Sequence, residues 1–580
     1  MQPLWDLETH CRSARLLRTL AVGAAAAALS LACSGEIDTP NEGNGGAGAS
    51  TAAGGSGSGA APAGSPDLPS PSPRVARLTH LQWERTIHDL FEAAPGTFEQ
   101  AASFRSDPAQ QGFLFDNDAT ALSVDEVLWK SYQRAAADVA ARVTGDRAML
   151  ERLLPAGDAD EAQARAFVVE FGRRVHRRPL TEEQTEEYLD LYRAAPGVYT
   201  GMSDFDGGIR LLIEAFLQSP HFVYRIESST DAAGDVIPLD GYEVASRLSY
   251  MLWNTMPDEA LLGAAAAGDL LRTDGLAEHA RRLLDDPRAE ETILHFHEQL
   301  LELERYAAIQ PSSTFYPDAP AELGALAARE TELFVKDLVL DADAGLGALL
   351  TSTRSFVNQD LASLYGLSGD YGEEFVPVEL DPAERRGLLT QIGFLAAHAT
   401  SVDPDPIHRG VFVAKRVLCA PLGVPPGEIP PLPAPEGRTN RETVAQHTET
   451  PGTSCANCHA TLINPLGFPF ESYDAVGAYR TEDNGHPVDT AAEPLIGAEP
   501  VAVEDALELA TALAASPQVH ECYAKHWLEF AYGRARSKND AGLIERLGAR
   551  SAAEDLSIKD LIVALVTTQA FTTRSVEELP

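Results

Sequence analysis

The sequence predicts a mainly α chain of multidomain helical modules behind a disordered N-terminal tether, with one module built around a cysteine–histidine motif. Three observations predict it. Apolar residues recur at helical spacing behind capping signals, as in Thr79-His80-Leu81-Gln82-Trp83. Glycine, alanine, serine and proline fill residues 34–74 with no hydrophobic period, so nothing there can bury a core. At 580 residues the chain is long enough for about three to five domains.

Charge narrows the partners. The formal net charge is −41, which excludes phosphate binding by a general basic surface and with it nucleic acid. Such a chain suits a redox partner protein that is itself basic. After the N-terminus no apolar run reaches membrane-spanning length, so membrane attachment is expected through a lipid anchor only.

Residues 1–33 read as an export signal of lipoprotein type. Arg12, Arg15 and Arg18 precede a short apolar core from Leu20 to Leu31, and Leu29-Ser30-Leu31-Ala32-Cys33 ends it. Cys33 is the expected lipidation site, although Ser30 stands where an aliphatic residue is usual; plain cleavage near Ala32 is the alternative. Either route exports the protein, to the periplasm or to the outer membrane and cell surface. Residues 34–74 form the tether, with an r.m.s. reach of roughly 35 Å.

The helical modules follow. Module 75–145 opens with Thr79 as N-cap, Gln82 reaching back and Leu78 stapled to Trp83; Trp83, Ile87, Leu90 and Phe91 share a face. Its segment Gly112-Phe113-Leu114-Phe115-Asp116-Asn117-Asp118 reads as a solvated turn, since the spacing fits no EF-hand. Module 160–228 carries a basic island, Arg173-Arg174-Val175-His176-Arg177-Arg178, expected to pair internally, and a second capping box at Thr181 and Gln184. Module 236–370 begins at Asp240 and Glu243 and caps again at Asp258. His295 and His297, two apart on a helix, cannot chelate one metal from there. No nucleophile motif or phosphate loop occurs in 75–370.

The chemistry sits in module 385–490. Ser454-Cys455-Ala456-Asn457-Cys458-His459 is the attachment pattern of c-type haem. Two thiols add across the porphyrin vinyl groups, and the adjacent histidine reaches the iron. With 6 Cys and 15 His in 580 residues, chance supplies about 0.002 such matches. A zinc half-site lacks further ligands at close spacing. A thioredoxin-like pair lacks its preceding strand, because Glu449-Thr450-Pro451-Gly452-Thr453 is a polar loop. Cys455, Cys458 and His459 are therefore the cofactor residues. No methionine follows Met256, so the sixth iron ligand is sought among His398, His408 and His447, with His486 behind them. Phe468, Phe470, Tyr473 and Tyr479 offer surface to a porphyrin and Gly467 a close approach; core packing is the alternative. A backbone carbonyl near Asn464-Pro465 is expected to accept the Nδ1–H of His459, and Arg480 is free for a propionate or a surface ion pair.

Cys419 and Cys522 are expected to form a disulfide in an oxidising compartment, two buried thiols being the alternative. Module 500–575 is helical and shows no catalytic set. Electron transfer by a monohaem protein is the leading function. A peroxidase-like haem enzyme with an open iron, or a surface scaffold protein with a structural Cys-x-x-Cys, are the competing ones.

Several segments resemble, in order, one group of proteins. They are Arg77-Leu78-Thr79, Arg178-Pro179-Leu180-Thr181, Ser219-Pro220-His221-Phe222-Val223-Tyr224-Arg225, Leu248-Ser249-Tyr250-Met251-Leu252-Trp253-Asn254, Arg386-Gly387-Leu388-Leu389-Thr390-Gln391, Pro406-Ile407-His408-Arg409-Gly410 and Tyr532-Gly533-Arg534. The group is the multidomain planctomycete and myxobacterial proteins that chain domains of unknown function, usually beside cytochrome c modules. The resemblance implies export and haem binding and names no substrate.

Overall fold

Helix starts are where local chemistry is most visible. Thr79 accepts a hydrogen bond from the Gln82 amide while Gln82 accepts one from the Thr79 amide, opening the helix His80–Leu90. The same reciprocal box opens Glu182–Ala194 at Thr181 and Gln184, and Gly241–Leu252 at Asp240 and Glu243. Each box satisfies two amides that the helix itself cannot. Asp258 caps Glu259–Ala267.

The computed structural model describes residues 71–108, 112–423, 432 and 437–577. The signal, Cys33 and most of the tether lie outside the described residues. The fold is mainly helical, and its named strands pair only as five two-stranded ribbons. Among the described residues no helix is long and apolar enough to cross a membrane.

The modules interlock. Helices His80–Leu90, Glu126–Gly145, Glu161–His176 and Asp204–Gln218 share one core, from Leu78 and Trp83 to Phe216 and Phe222. Val75–Arg77 closes it by pairing with Tyr224–Ile226. A second core runs from Phe115 through Gly241–Leu252, Arg288–Leu300 and Leu323–Lys336 to Pro517–Tyr532 and Ile558–Val566. Val236–Pro238 pairs with Thr573–Ser575 near the end of the chain. At its centre Phe296 stacks on Trp527 with ring centroids 3.7 Å apart. Cutting either ring back to alanine costs about 3–5 kcal/mol.

The segment 112–118 is a joint between modules, where a solvated turn was expected. Phe115 is buried between Phe296 and Phe530, at 5.2 and 5.3 Å. Asn117 donates to the Phe530 carbonyl at 2.8 Å, and Asp116 meets His295 at 2.9 Å. Its aromatic pair is apolar enough to be drawn under a neighbour, which composition alone does not reveal. The basic island is used internally. Arg177 donates to Tyr250 Oη at 2.9 Å and to the carbonyls of His221 and Tyr224. Arg173 pairs with Glu259 and Arg178 with Asp240.

Arg385 clamps the third module to the fourth. Its guanidinium lies between the rings of Tyr365 and Tyr473, 4.8 and 4.7 Å from their centroids. It donates to the carbonyls of Thr390 and Gly477 at 2.8 and 2.7 Å. The apolar stretch from Arg386 to Ala397 is in two pieces, a 3₁₀ turn Leu388–Thr390 and a helix Ile392–Ala397. The break falls at Gln391, whose backbone is extended and whose side chain accepts from Thr331.

Candidate haem-attachment site

The site is positioned by two helices in backbone contact. Pro406–Phe412 crosses Asn464–Gly467, and each contributes a glycine at the crossing. A β-carbon on Gly410 would strike the carbonyl of Ile463, and one on Gly467 the carbonyl of Pro406. The close approach expected of Gly467 is thus to protein backbone. Beneath the crossing, Arg409 is fully buried and donates to the carbonyls of Leu395, Phe470, Tyr473 and Asp474 at 2.9–3.0 Å. Four carbonyls on one guanidinium fix how the chain leaves the helix.

A buried polar network ties the next helix, Asn440–Thr448, to this base. The Asn440 amide donates to Asp483 at 2.6 Å, and its side chain donates to Glu471 at 3.2 Å. Arg480 donates to Asp483 at 2.8 Å and to Glu471 at 3.2 Å. Burial pushes the Glu471 carboxyl up to about 7, against the pull of Arg480 and Arg409. Arg480, expected at a propionate or on the surface, is consumed by this internal network.

The motif itself forms the short helix Ser454–Cys458, capped by Thr453, whose hydroxyl accepts from the Ala456 amide at 3.2 Å. Cys455 and Cys458, three apart, fall on one face. Both are half-buried free thiols. His459 begins a π turn, His459–Ile463, and that i→i+5 register brings residue 459 over residue 464. Its Nδ1 meets Asn464 Oδ1 at 3.1 Å. Asn464 is fully buried and donates in turn to Thr448 Oγ1 at 2.9 Å and Glu449 Oε1 at 2.7 Å. Those two donations set the amide so that its oxygen faces the imidazole. The expected acceptor near Asn464-Pro465 is the Asn464 side chain and not a backbone carbonyl. A side chain locked by two other bonds does the same work with more rigidity.

The consequence is chemical. With its proton on Nδ1, His459 presents Nε2 as a lone pair, and among the described residues Nε2 has no protein partner. Two free thiols on the preceding turn complete a set that fits covalently held haem: two sulfurs that would form thioethers and one nitrogen that would ligate the iron.

The other histidines stand apart. His398 is buried between the rings of Phe394 and Phe412, with Nδ1 2.9 Å from the Phe394 carbonyl, and burial pushes its pKa down to about 4. His408 is half-exposed and held by Asp405 at 2.5 Å, which raises its pKa. His447 is half-buried in the last turn of Asn440–Thr448, and exposed His486 contacts the Gly437 carbonyl at 3.0 Å. Among the described residues no hydrogen bond or ring contact joins any of them to His459. Phe470 and Tyr473, considered for the porphyrin, belong to the protein core, with Tyr473 donating to the Glu384 carbonyl at 2.5 Å. Phe468 is covered by Arg441, and Tyr479 is exposed. Cys419 and Cys522 are disulfide-bonded.

Five family models, each described as a protein of unknown function, match in series. They are DUF1587 over residues 76–145, DUF1595 over 163–227, DUF1592 over 239–367, DUF1588, labelled PSCyt3, over 385–483, and DUF1585 over 501–571. No curated protein and no solved structure matches the chain. The chain is thus a tandem array of five domains of unknown function, with the cysteine–histidine motif inside the DUF1588 domain.

Proposed function

We propose that this chain is an exported, lipid-anchored monohaem c-type protein that transfers electrons to or from a separate redox partner protein. Haem would be held by Cys455 and Cys458, with His459 as iron ligand. The observation that carries the reading is the His459–Asn464 bond, which keeps the imidazole proton on Nδ1 and leaves Nε2 available. The PSCyt3 label of the matched DUF1588 model agrees with it. Bound haem would supply a one-electron iron couple. The chain's own residues fix the imidazole, anchor it through Asn464 to Thr448 and Glu449, and hold the thiol-bearing turn on the Gly410–Gly467 crossing. The strongly acidic chain favours a basic partner.

Production in an exporting host with cytochrome c maturation tests the reading. The expected result is a c-type absorption spectrum and a mature polypeptide heavier by one haem; a polypeptide without that mass would overturn it. The second reading is a peroxidase-like enzyme with an open iron position, which fits His408 being held by Asp405 and His486 by the Gly437 carbonyl. Ready carbon monoxide binding by the reduced protein would select it. Failure of haem attachment would leave a scaffold role for the two thiols.

A further inference from the structure

The joint between the fourth and fifth domains carries a second constellation, independent of the motif above. Cys522 and His526 lie four apart on one face of the helix Pro517–Tyr532, and Cys419 reaches them from beyond the π turn Val413–Val417. His526 Nε2 lies close to both sulfurs, 3.4 Å from Cys522 Sγ and 3.6 Å from Cys419 Sγ. All three donor atoms lie within 4.8 Å of one another. We propose that this disulfide is the oxidised form of a redox-gated metal site, which on reduction takes one soft d¹⁰ cation, zinc or copper(I), on two thiolates and one imidazole.

The chemistry balances. A dithiol or phosphine reductant supplies two electrons, and the sulfur–sulfur bond becomes two thiols. A divalent cation then displaces two protons. Sulfurs sharing one tetrahedral zinc sit about 3.8 Å apart, given Zn–S bonds of about 2.3 Å. The two α-carbons, 5.5 Å apart, allow that opening by side-chain rotation alone. In the oxidised state His526 Nε2–H donates to the Arg416 carbonyl at 3.1 Å. Coordination moves that proton to Nδ1, which is buried, has no hydrogen-bond partner among the described residues and lies 3.9 Å from Glu529 Oε2. A carboxylate behind the far nitrogen of a ligating imidazole is a recurrent arrangement of metal–histidine sites. The site would keep the last two domains joined when the covalent bond is broken.

The test uses the full chain carrying Cys455→Ser and Cys458→Ser, so that the other thiol pair takes no metal. After phosphine reduction, cobalt(II) serves as the probe. One equivalent should bind with a thiolate-to-cobalt charge-transfer band, and zinc should displace it. The oxidised protein should show no band. His526→Gln should weaken binding by more than about 100-fold, and Glu529→Gln by about 10- to 100-fold. Zinc should also raise the melting temperature of the reduced chain, a readout that needs no histidine variant. An unchanged band in His526→Gln would overturn the proposal, as would binding to the oxidised form. So would a reduced chain that neither binds the probe nor gains stability from zinc.

Discussion

His459 Nδ1 lies 3.1 Å from Asn464 Oδ1, and the asparagine is itself pinned by Thr448 and Glu449. The imidazole tautomer is thus written into the apoprotein. Asn464→Leu keeps the volume and removes every bond. Stability should fall by about 1–3 kcal/mol, because buried polar partners are left unpaired. Retention of a metal centre on His459 should fall about 10- to 100-fold. Denaturant unfolding of the apoprotein reads the first effect and haem yield the second. An unfolding midpoint equal to that of the parent would refute the buried network.

The crossing of Pro406–Phe412 over Asn464–Gly467 makes a sharper prediction. In Gly467→Ala the new methyl meets the Pro406 carbonyl, and backbone cannot swing away as a side chain does. The two helices must part, at a cost of about 1–3 kcal/mol or more. Gly423→Ala is the control, since among the described residues a β-carbon there meets nothing within 4 Å; its effect should stay within about 0.5 kcal/mol. Equal melting temperatures for the two variants would contradict the close approach.

How much of this was legible beforehand follows from range in sequence. The capping boxes at Thr79, Thr181 and Asp240 are four-residue patterns, so propensity and hydrogen bonding decide them locally. A fourth box, Thr439 with Glu442, carries the same local signal. The Cys-x-x-Cys-His spacing was equally local. What sequence hid was set by distant partners. Nothing near Val75–Arg77 announces its pairing with Tyr224–Ile226. Phe470 and Tyr473 read the same whether they face a porphyrin or Phe394 and Arg385. The His459–Asn464 contact needed a π turn, which no residue pattern here foretold.

Glu330 gives a pH prediction of one sign. It is fully buried, and burial pushes its carboxyl up to about 7 even though Ser355 and Tyr365 both donate to Oε1 at 2.6 Å. A carboxyl whose folded pKa lies above its unfolded value of 4.5 favours folding while protonated. The native state therefore loses stability as pH rises from about 4.5 to about 7. Glu330→Gln removes the titration. It should match the parent near pH 4.5 and exceed it by about 1–3 kcal/mol at pH 8. Unfolding curves at the two pH values check it, and a glutamine variant less stable at pH 8 would contradict the assignment.

His295, at the joint between modules, also has a raised pKa, but there folding favours the charged form. Burial works against its charged form, yet hydrogen bonds to Asp116 and Glu298 outweigh that and hold its pKa at about 9. The folded value lies above the unfolded 6.5, so the contribution is complete below about pH 6.5 and is lost as pH climbs through 9. Solvent reaches both partners, which limits the pair to about 1 kcal/mol. His295→Gln should therefore be less stable than the parent by that amount at pH 6, with the gap closing by pH 10. In Asp116→Asn the same substitution should cost less, because the pair is already broken. Parallel stability curves for parent and His295→Gln from pH 6 to 10 would show that the His295–Asp116 pair does not help to hold segment 112–118.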